Sequence, residues 1–230
     1  MEKIFILSIL FFLAGCAHKP AIKPATGVAE PVDFVFNSPA SIKDWRERSF
    51  HGKTQFEIKK EPKTGENALR AYSKSASSAL FKEMDIDISK RPILVWEWKV
   101  LKFPTGKKNQ ALAAKKDNDY GARVYAVFKG DMPFQQDIIQ YVWDDHFKEG
   151  EHADSPFLKK VKIFVAKNGP LDPSGKWIFE RRDLAKDYRT LFGKKPERNL
   201  VVIGMTSDSD NTKSESEAYF RRIAIEFPKK

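Results

Sequence analysis

Thr54, Phe56 and Ile58 alternate with Lys53, Gln55, Glu57 and Lys59, so apolar bulk falls on every second residue. Side chains of an extended strand point to opposite faces in turn, and this period of two predicts a strand buried on one side. The same rhythm recurs over residues 80–88, 93–101, 123–128, 138–143, 161–166, 177–180, 200–206 and 219–227, with Pro, Gly, Asn or Asp clusters between the runs. Short alternating runs at such spacing predict a mainly β protein, an antiparallel β-sandwich, with residues 32–230 as its single domain. One stretch, RDLAKDYRTLFGKKP, departs from the rhythm. Leu184, Tyr188, Leu191 and Phe192 fall at helical spacing, Asp183 is the expected N-cap and Gly193 the stop, so one short helix is expected to close an end of the sandwich.

Two strands have faces of unlike character. In ILVWEWKVL, Leu94, Trp96, Trp98 and Val100 share one face, while the other runs from Ile93 and Val95 to the charged Glu97 and Lys99. In ARVYAVF, Ala122, Val124, Ala126 and Phe128 form the apolar side and leave Arg123, Tyr125 and Val127 opposite. Both strands are therefore expected to offer polar groups to one concave sheet.

The N-terminus follows another logic. Residues 4–13 are apolar except for Ser8, too short to span the ~30 Å of a bilayer but suited to a signal-peptide core. Cys16, the only cysteine of 230 residues, follows at once in Leu-Ala-Gly-Cys. This motif resembles the lipobox of bacterial lipoproteins, which implies residues 1–15 as signal peptide, acylation of Cys16, and a lipid membrane as partner. An ordinary secretory peptide cut near Ala17 is the alternative, and both export the chain. Residues 16–31, with Pro20, Pro24 and Pro31 among small residues, read as a tether. Ala17 rather than Asp after the cysteine points to the outer membrane, facing the periplasm.

With Cys16 lipidated, the exported domain has no disulfide and must be held by its apolar core. A hydrophobic content of 41% with 18 Phe and 5 Trp suits that. The net charge of +10 comes from pairs scattered along the chain, such as Lys115-Lys116 and Arg181-Arg182, rather than from one block. For an exported protein the expected counterparts of that field are acidic glycans or anionic lipid headgroups, not nucleic acid.

The stretches WRERSFHGKTQF, PILVWEWKVLKFP, DNDYGARVYAVF, IIQYVWD, GKWIFERRDLAKDYRTLFG and MTSDSDNTKSESEAYFRRIAIEF, in that order, resemble the bacterial family called domain of unknown function 3047 over residues 44–227. The layout is also similar to galactose-binding-like jelly rolls, which include many carbohydrate-binding modules; that likeness bears on fold and leaves function to the site.

The leading candidate site is a polar cluster of Asp117, Asp119, Arg123 and Tyr125 with Glu97 and Lys99. In it Arg123 would hold a carboxylate or phosphate, the aspartates would accept sugar hydroxyls, and Trp143 would stack on a sugar ring. The alternative is a structural network with Arg123 paired to Asp119. Asp208, Asp210 and Asn211 crowd oxygens after an apolar strand and are either Ca²⁺ ligands or an Asx-rich turn; no other cofactor is expected. Asp144, Asp145, His146, His152 and Asp154 match no zinc spacing and read as a solvated hairpin connection. No G-x-S-x-G, Walker or H-E-x-x-H motif occurs. The expected function is non-catalytic binding of an acidic or hydroxyl-rich envelope ligand, with an envelope-carbohydrate hydrolase or a protein-binding assembly lipoprotein as the alternatives.

Overall fold

The computed structural model describes residues 30–106, 111–130, 132, 135–169 and 175–228. The expected signal peptide, Cys16 and most of the expected tether lie outside the described residues. Strands β1 (Val32–Val35), β3 (Gln55–Lys60), β4 (Asn67–Lys74), β6 (Ile93–Lys102), β11 (Ile178–Asp183) and β13 (Glu215–Glu226) form a six-stranded sheet in the order β11-β6-β13-β4-β3, with β1 also paired to β13. We call it the back sheet. Strands β2 (Arg46–His51), β5 (Ser77–Ile86), β7 (Ala122–Phe128), β8 (Asp137–Asp144), β9 (His152–Asp154), β10 (Val161–Asn168) and β12 (Leu200–Thr206) form the seven-stranded front sheet, ordered β2-β5-β12-β7-β8-β10-β9.

The predicted alternation determines which faces meet. Leu94, Trp96, Trp98 and Val100 of β6 pack against Ala122, Val124, Ala126 and Phe128 of β7 in one core. Aromatic rings tie the layers together: Trp96 meets Tyr141 at 5.3 Å and Trp98 meets Trp143 at 5.6 Å between ring centroids. Buried indoles of this size are each worth about 3–5 kcal/mol against truncation to Ala. They fill the space a disulfide would otherwise bridge.

The helix α1 (Leu184–Phe192) forms where its end signals stand. Asp183 accepts the Lys186 N–H at 2.9 Å, and Gly193 turns left-handed at φ +70°. Leu184, Tyr188 and Leu191 enter the core, while Asp187, on another flank, is buried against Arg182 and the Tyr141 hydroxyl at 2.7–2.8 Å.

One pairing departs from the antiparallel expectation. β10 runs parallel to β8, and β9 pairs antiparallel on the far side of β10. Asp144 ends β8 by accepting the N–H groups of His146 and Phe147 at 2.8 and 3.0 Å, which turns the chain outward. The run of acids and histidines from Asp144 to Asp154 is thus the crossover that a parallel pair requires. Alternation reports faces, not direction, and carries no trace of this.

Candidate functional site

The outer face of the front sheet carries a groove of about 430 Å³. Its floor is aromatic. Phe50 from β2, Phe81 from β5 and Tyr125 from β7 form a row, with centroid separations of 6.5 Å and 5.6 Å, and Val127 and Ile138 extend it. Strands β5 and β7 are not neighbours, because β12 lies between them. Gly204 of β12 makes the row possible: a Cβ there would stand 2.3 Å from Phe81 Cδ1, inside the ring. With only hydrogen at that position, the Phe81 ring lies across the strand and reaches Tyr125.

The polar wall is built around Arg123, which the alternation of β7 turns outward. Arg123 Nε and Nη2 donate to the two Asp208 oxygens at 3.1 and 2.5 Å, Nη1 donates to Gln140 Oε1 at 2.8 Å, and Nη2 also donates to the Asn118 carbonyl. The guanidinium sits 4.5 Å from the Tyr120 ring centroid. Both partners of the ion pair are almost fully buried. The Asp208 carboxyl is pushed up to about 7 on balance: burial raises it most, Arg123 pulls it down, and the neighbouring Asp119 and Asp210 carboxylates raise it further. For Arg123 burial is the largest single effect and weakens the charged form, yet Asp208 together with Tyr125 and Tyr120 outweighs it and the guanidinium stays charged.

Asp119 is not the partner of Arg123. It is fully buried behind the wall, where Oδ1 accepts the Asn211 amide at 3.0 Å and Oδ2 accepts the Thr212 N–H and hydroxyl, both at 2.7 Å. It thereby clamps the loop that bears Asp210, Asn211 and Lys213 on the groove rim. The same loop is anchored beneath by Ser209, whose N–H donates to the Ala76 carbonyl at 3.0 Å. Lys213 at its tip adopts a left-handed φ of +56°.

Asp119, Asp208 and Asp210 place carboxylate oxygens within 4.8 Å of one another. Their donor set does not suit Ca²⁺. The Asp119 oxygens are taken by N–H and O–H donors, Asp208 is held by Arg123, and Asn211 turns its amide Nδ2, not an oxygen, toward Asp119 and Asp210. A guanidinium occupies the electrostatic role a cation would fill. Of the expected pair of readings the turn is nearer, but it is held from outside by Asp119.

The polar cluster expected from the sequence divides in two. Of its members Arg123 and Tyr125 line the groove, joined there by Asp208, Asp210 and Asn211 from the separate candidate Ca²⁺ group, and Asp119 supports it. Asp117 is buried in the short turn Lys115–Asp117 and does not line it. Glu97 and Lys99 are on the outer face of the back sheet, separated from Arg123 by the whole core. Trp143 points into that core, 3% exposed, and donates its indole N–H to the Gly169 carbonyl, so it offers no ring to a ligand. Phe50 and Phe81 line the groove without having been expected there, as do Arg48, Gln140 and the Lys115-Lys116 pair. A signal for Phe50 exists in the sequence: in RERSF, Arg48 and Phe50 share a face.

Glu97 and Lys99 belong to a closed ion network. Lys99 Nζ donates to the fully buried Glu61 at 2.9 Å, and Glu61 also accepts the Thr64 N–H and hydroxyl at 2.8 Å. Burial raises the Glu61 pKa, but these bonds outweigh it and hold the carboxyl below its usual range. Trp177 covers the pair, its ring centroid 4.6 Å from Lys99 Nζ and 5.1 Å from the Arg221 guanidinium. Trp177 donates to Glu66 at 2.6 Å, and Arg221 joins Glu66 to Glu97.

Fold and site together define a β-sandwich with one outer face covered by ion pairs and one opened as an aromatic-floored groove. The family described as "Protein of unknown function (DUF3047)" matches residues 43–224, and the chain belongs to that family. No curated protein sequence matches it. Among solved structures it is similar to TmCBM27, a carbohydrate-binding module that recognises mannan, at 12% identity and TM-score 0.37 over 87% of this chain and 100% of that one. It is also similar to the Caldicellulosiruptor saccharolyticus module CBM27-1 in complex with mannohexaose, at 11% identity and TM-score 0.38 over 86% and 97%. The winged bean acidic lectin complexed with methyl-α-D-galactose is a further likeness, at 9% and 0.38 over 87% and 99%.

Proposed function

We propose that this protein is an exported lipoprotein, held in the outer membrane through Cys16, whose front-sheet groove binds an envelope glycan without turning it over. The observation that carries the binding reading is the row Phe50, Phe81 and Tyr125 beside hydrogen-bonding groups of Gln140, Asp210 and Asn211 in a groove of about 430 Å³. Sugar rings have an apolar C–H face and a polar hydroxyl rim, and such a floor with polar groups along one wall suits both. Two of the three carboxylates there are committed to the protein, Asp208 to Arg123 and Asp119 to the rim loop, which leaves Asp210 alone facing the groove and supports binding rather than turnover by a pair of carboxyl groups. Pull-down on immobilised envelope polysaccharides tests this: retention by the wild type, lost in Phe50→Ala and in Tyr125→Ala, each shown to be folded by circular dichroism, is the expected result. No retention above a denatured control would overturn it. For the anchor, labelled palmitate should enter the wild type and not Cys16→Ser, and the label should fractionate with the outer membrane.

A further inference from the structure

The groove is not only aromatic. Around its mouth stand Lys115, Lys116 and Lys213, with Arg48 and His51 from β2, against the single outlying carboxylate of Asp210. Arg123 and Asp208 neutralise each other within the wall, so neither adds to the imbalance. Lys115, Lys116 and Lys213 are exposed, and none forms an ion pair among the described residues. Other surface lysines are unpaired too, but these three converge on one cavity. Two of the three stand on one turn and the third on the loop clamped by Asp119, whose backbone holds Lys213 in a left-handed conformation that favours glycine. A side chain kept at such a position, at the rim of a groove, fits a role for the side chain itself.

Resting on the binding reading above, we infer that the groove selects an acidic saccharide, its anionic groups facing Lys115, Lys116 and Lys213 while a ring face lies on Phe81 and Tyr125. The buried Arg123, which the sequence nominates as the anion hand, serves the interior instead, fixing Asp208, Gln140 and the Asn118 carbonyl as the wall. Recognition of charge then falls to the lysine tips, which tolerate different spacings of carboxylates along a chain and act as point charges rather than as planar forks. Contacts of this kind are weakened by salt.

The test uses the full-length chain carrying Cys16→Ser and pairs of oligosaccharides that differ only in charge: oligogalacturonate and oligomannuronate, each with its methyl ester. Calorimetry should give at least one acid bound about tenfold or more tighter than its ester, with affinity falling as NaCl rises. The variant Lys115→Ala/Lys116→Ala/Lys213→Gly should lose about tenfold for the acid and nothing for the ester, combining roughly two- to threefold for each exposed charge. Glycine is chosen at position 213 because it accepts the left-handed backbone. The pair Lys59→Ala/Lys60→Ala, on the back sheet, should change neither affinity. Equal binding of acid and ester overturns the inference and leaves the glycan-binding reading standing; binding of neither overturns the inference, and the glycan-binding reading then stands or falls with the polysaccharide pull-down. Full affinity in the triple lysine variant, or capture by phosphatidylglycerol vesicles with no saccharide bound, overturns it in favour of charge at large or of a lipid surface.

Discussion

The two outer faces of the sandwich carry the same kinds of residue to opposite ends. On the back sheet Lys99 pairs with Glu61 and Arg221 with Glu66 and Glu97, and the Trp177 indole covers both cations. On the front sheet Arg123 and Asp208 are paired just as closely, yet the aromatics beside them border an open cavity. The difference lies in what crosses each face. Trp177 lies over the ion pairs of the back sheet, whereas on the front sheet the turn Lys115–Asp117 and the loop of Asp210 to Lys213 stop at the rim. A buried ion pair on its own therefore does not mark a functional site, and the same chemistry becomes a candidate site only where the surrounding backbone leaves room.

Breaking the sealed face should have the largest effect. Lys99→Ala leaves Glu61 charged and buried, and removing one partner of such a pair costs about 3–5 kcal/mol. Denaturant unfolding of Lys99→Ala should show that loss, and Lys99→Met with Glu61→Gln should recover most of it, with groove affinity unchanged in both. Gly204→Ala strikes the other face: a Cβ 2.3 Å from Phe81 forces the ring to move, at about 2 kcal/mol for overpacking, and saccharide binding should vanish with it. If binding survives in Gly204→Ala, Phe81 is not part of the floor that contacts ligand.

Acidity separates the faces more finely. Asp208 has its pKa raised, so its contribution to stability is complete below the ordinary aspartate value and is lost as pH rises through about 7. Glu61 has its pKa lowered, so its contribution is present above the ordinary glutamate value and is lost as pH falls through the lowered one. Stability measured from pH 8 down to pH 5 should therefore gain about 2–3 kcal/mol from Asp208, a slope that Asp208→Asn removes. Glu61→Gln should instead flatten the fall below about pH 4. The smallest effect belongs to Lys213→Gly, whose stability should stay within about 0.5 kcal/mol of wild type because the left-handed backbone suits glycine. Its affinity for an acidic saccharide should still drop roughly two- to threefold.

Much of the scaffold could be read along the chain, and the reason is local. Strands β6 and β7 declare their faces by alternation, and α1 declares its ends by Asp183 and Gly193, since each signal is carried within a few residues. Strand β4 is hidden in the sequence because Ala68, Leu69, Ala71 and Ser73 are all buried and mostly small, which blurs the period of two. Strand β2 is hidden because Phe50 faces the groove rather than the core, so its pattern looks inverted. The site was legible only in part. Alternation assigned Glu97 and Arg123 to the polar faces of their strands correctly, but no local pattern says that β6 and β7 lie in different sheets, back to back. Phe50, Phe81 and Tyr125 meet only through pairings between distant segments, with Gly204 as the enabling gap.

Strand β13 pairs with β6 along one edge and with β1 and β4 along the other, and every one of these partners precedes it in sequence. Until that segment is available, β6 with its two tryptophans and β4 with its leucine have no neighbour to join them, and the layer opposite the groove stays in pieces. Assembly is thus gated by the most distant contacts in the molecule, which predicts slow, late and cooperative closure. Clipping β13 should leave a chain that collapses without locking.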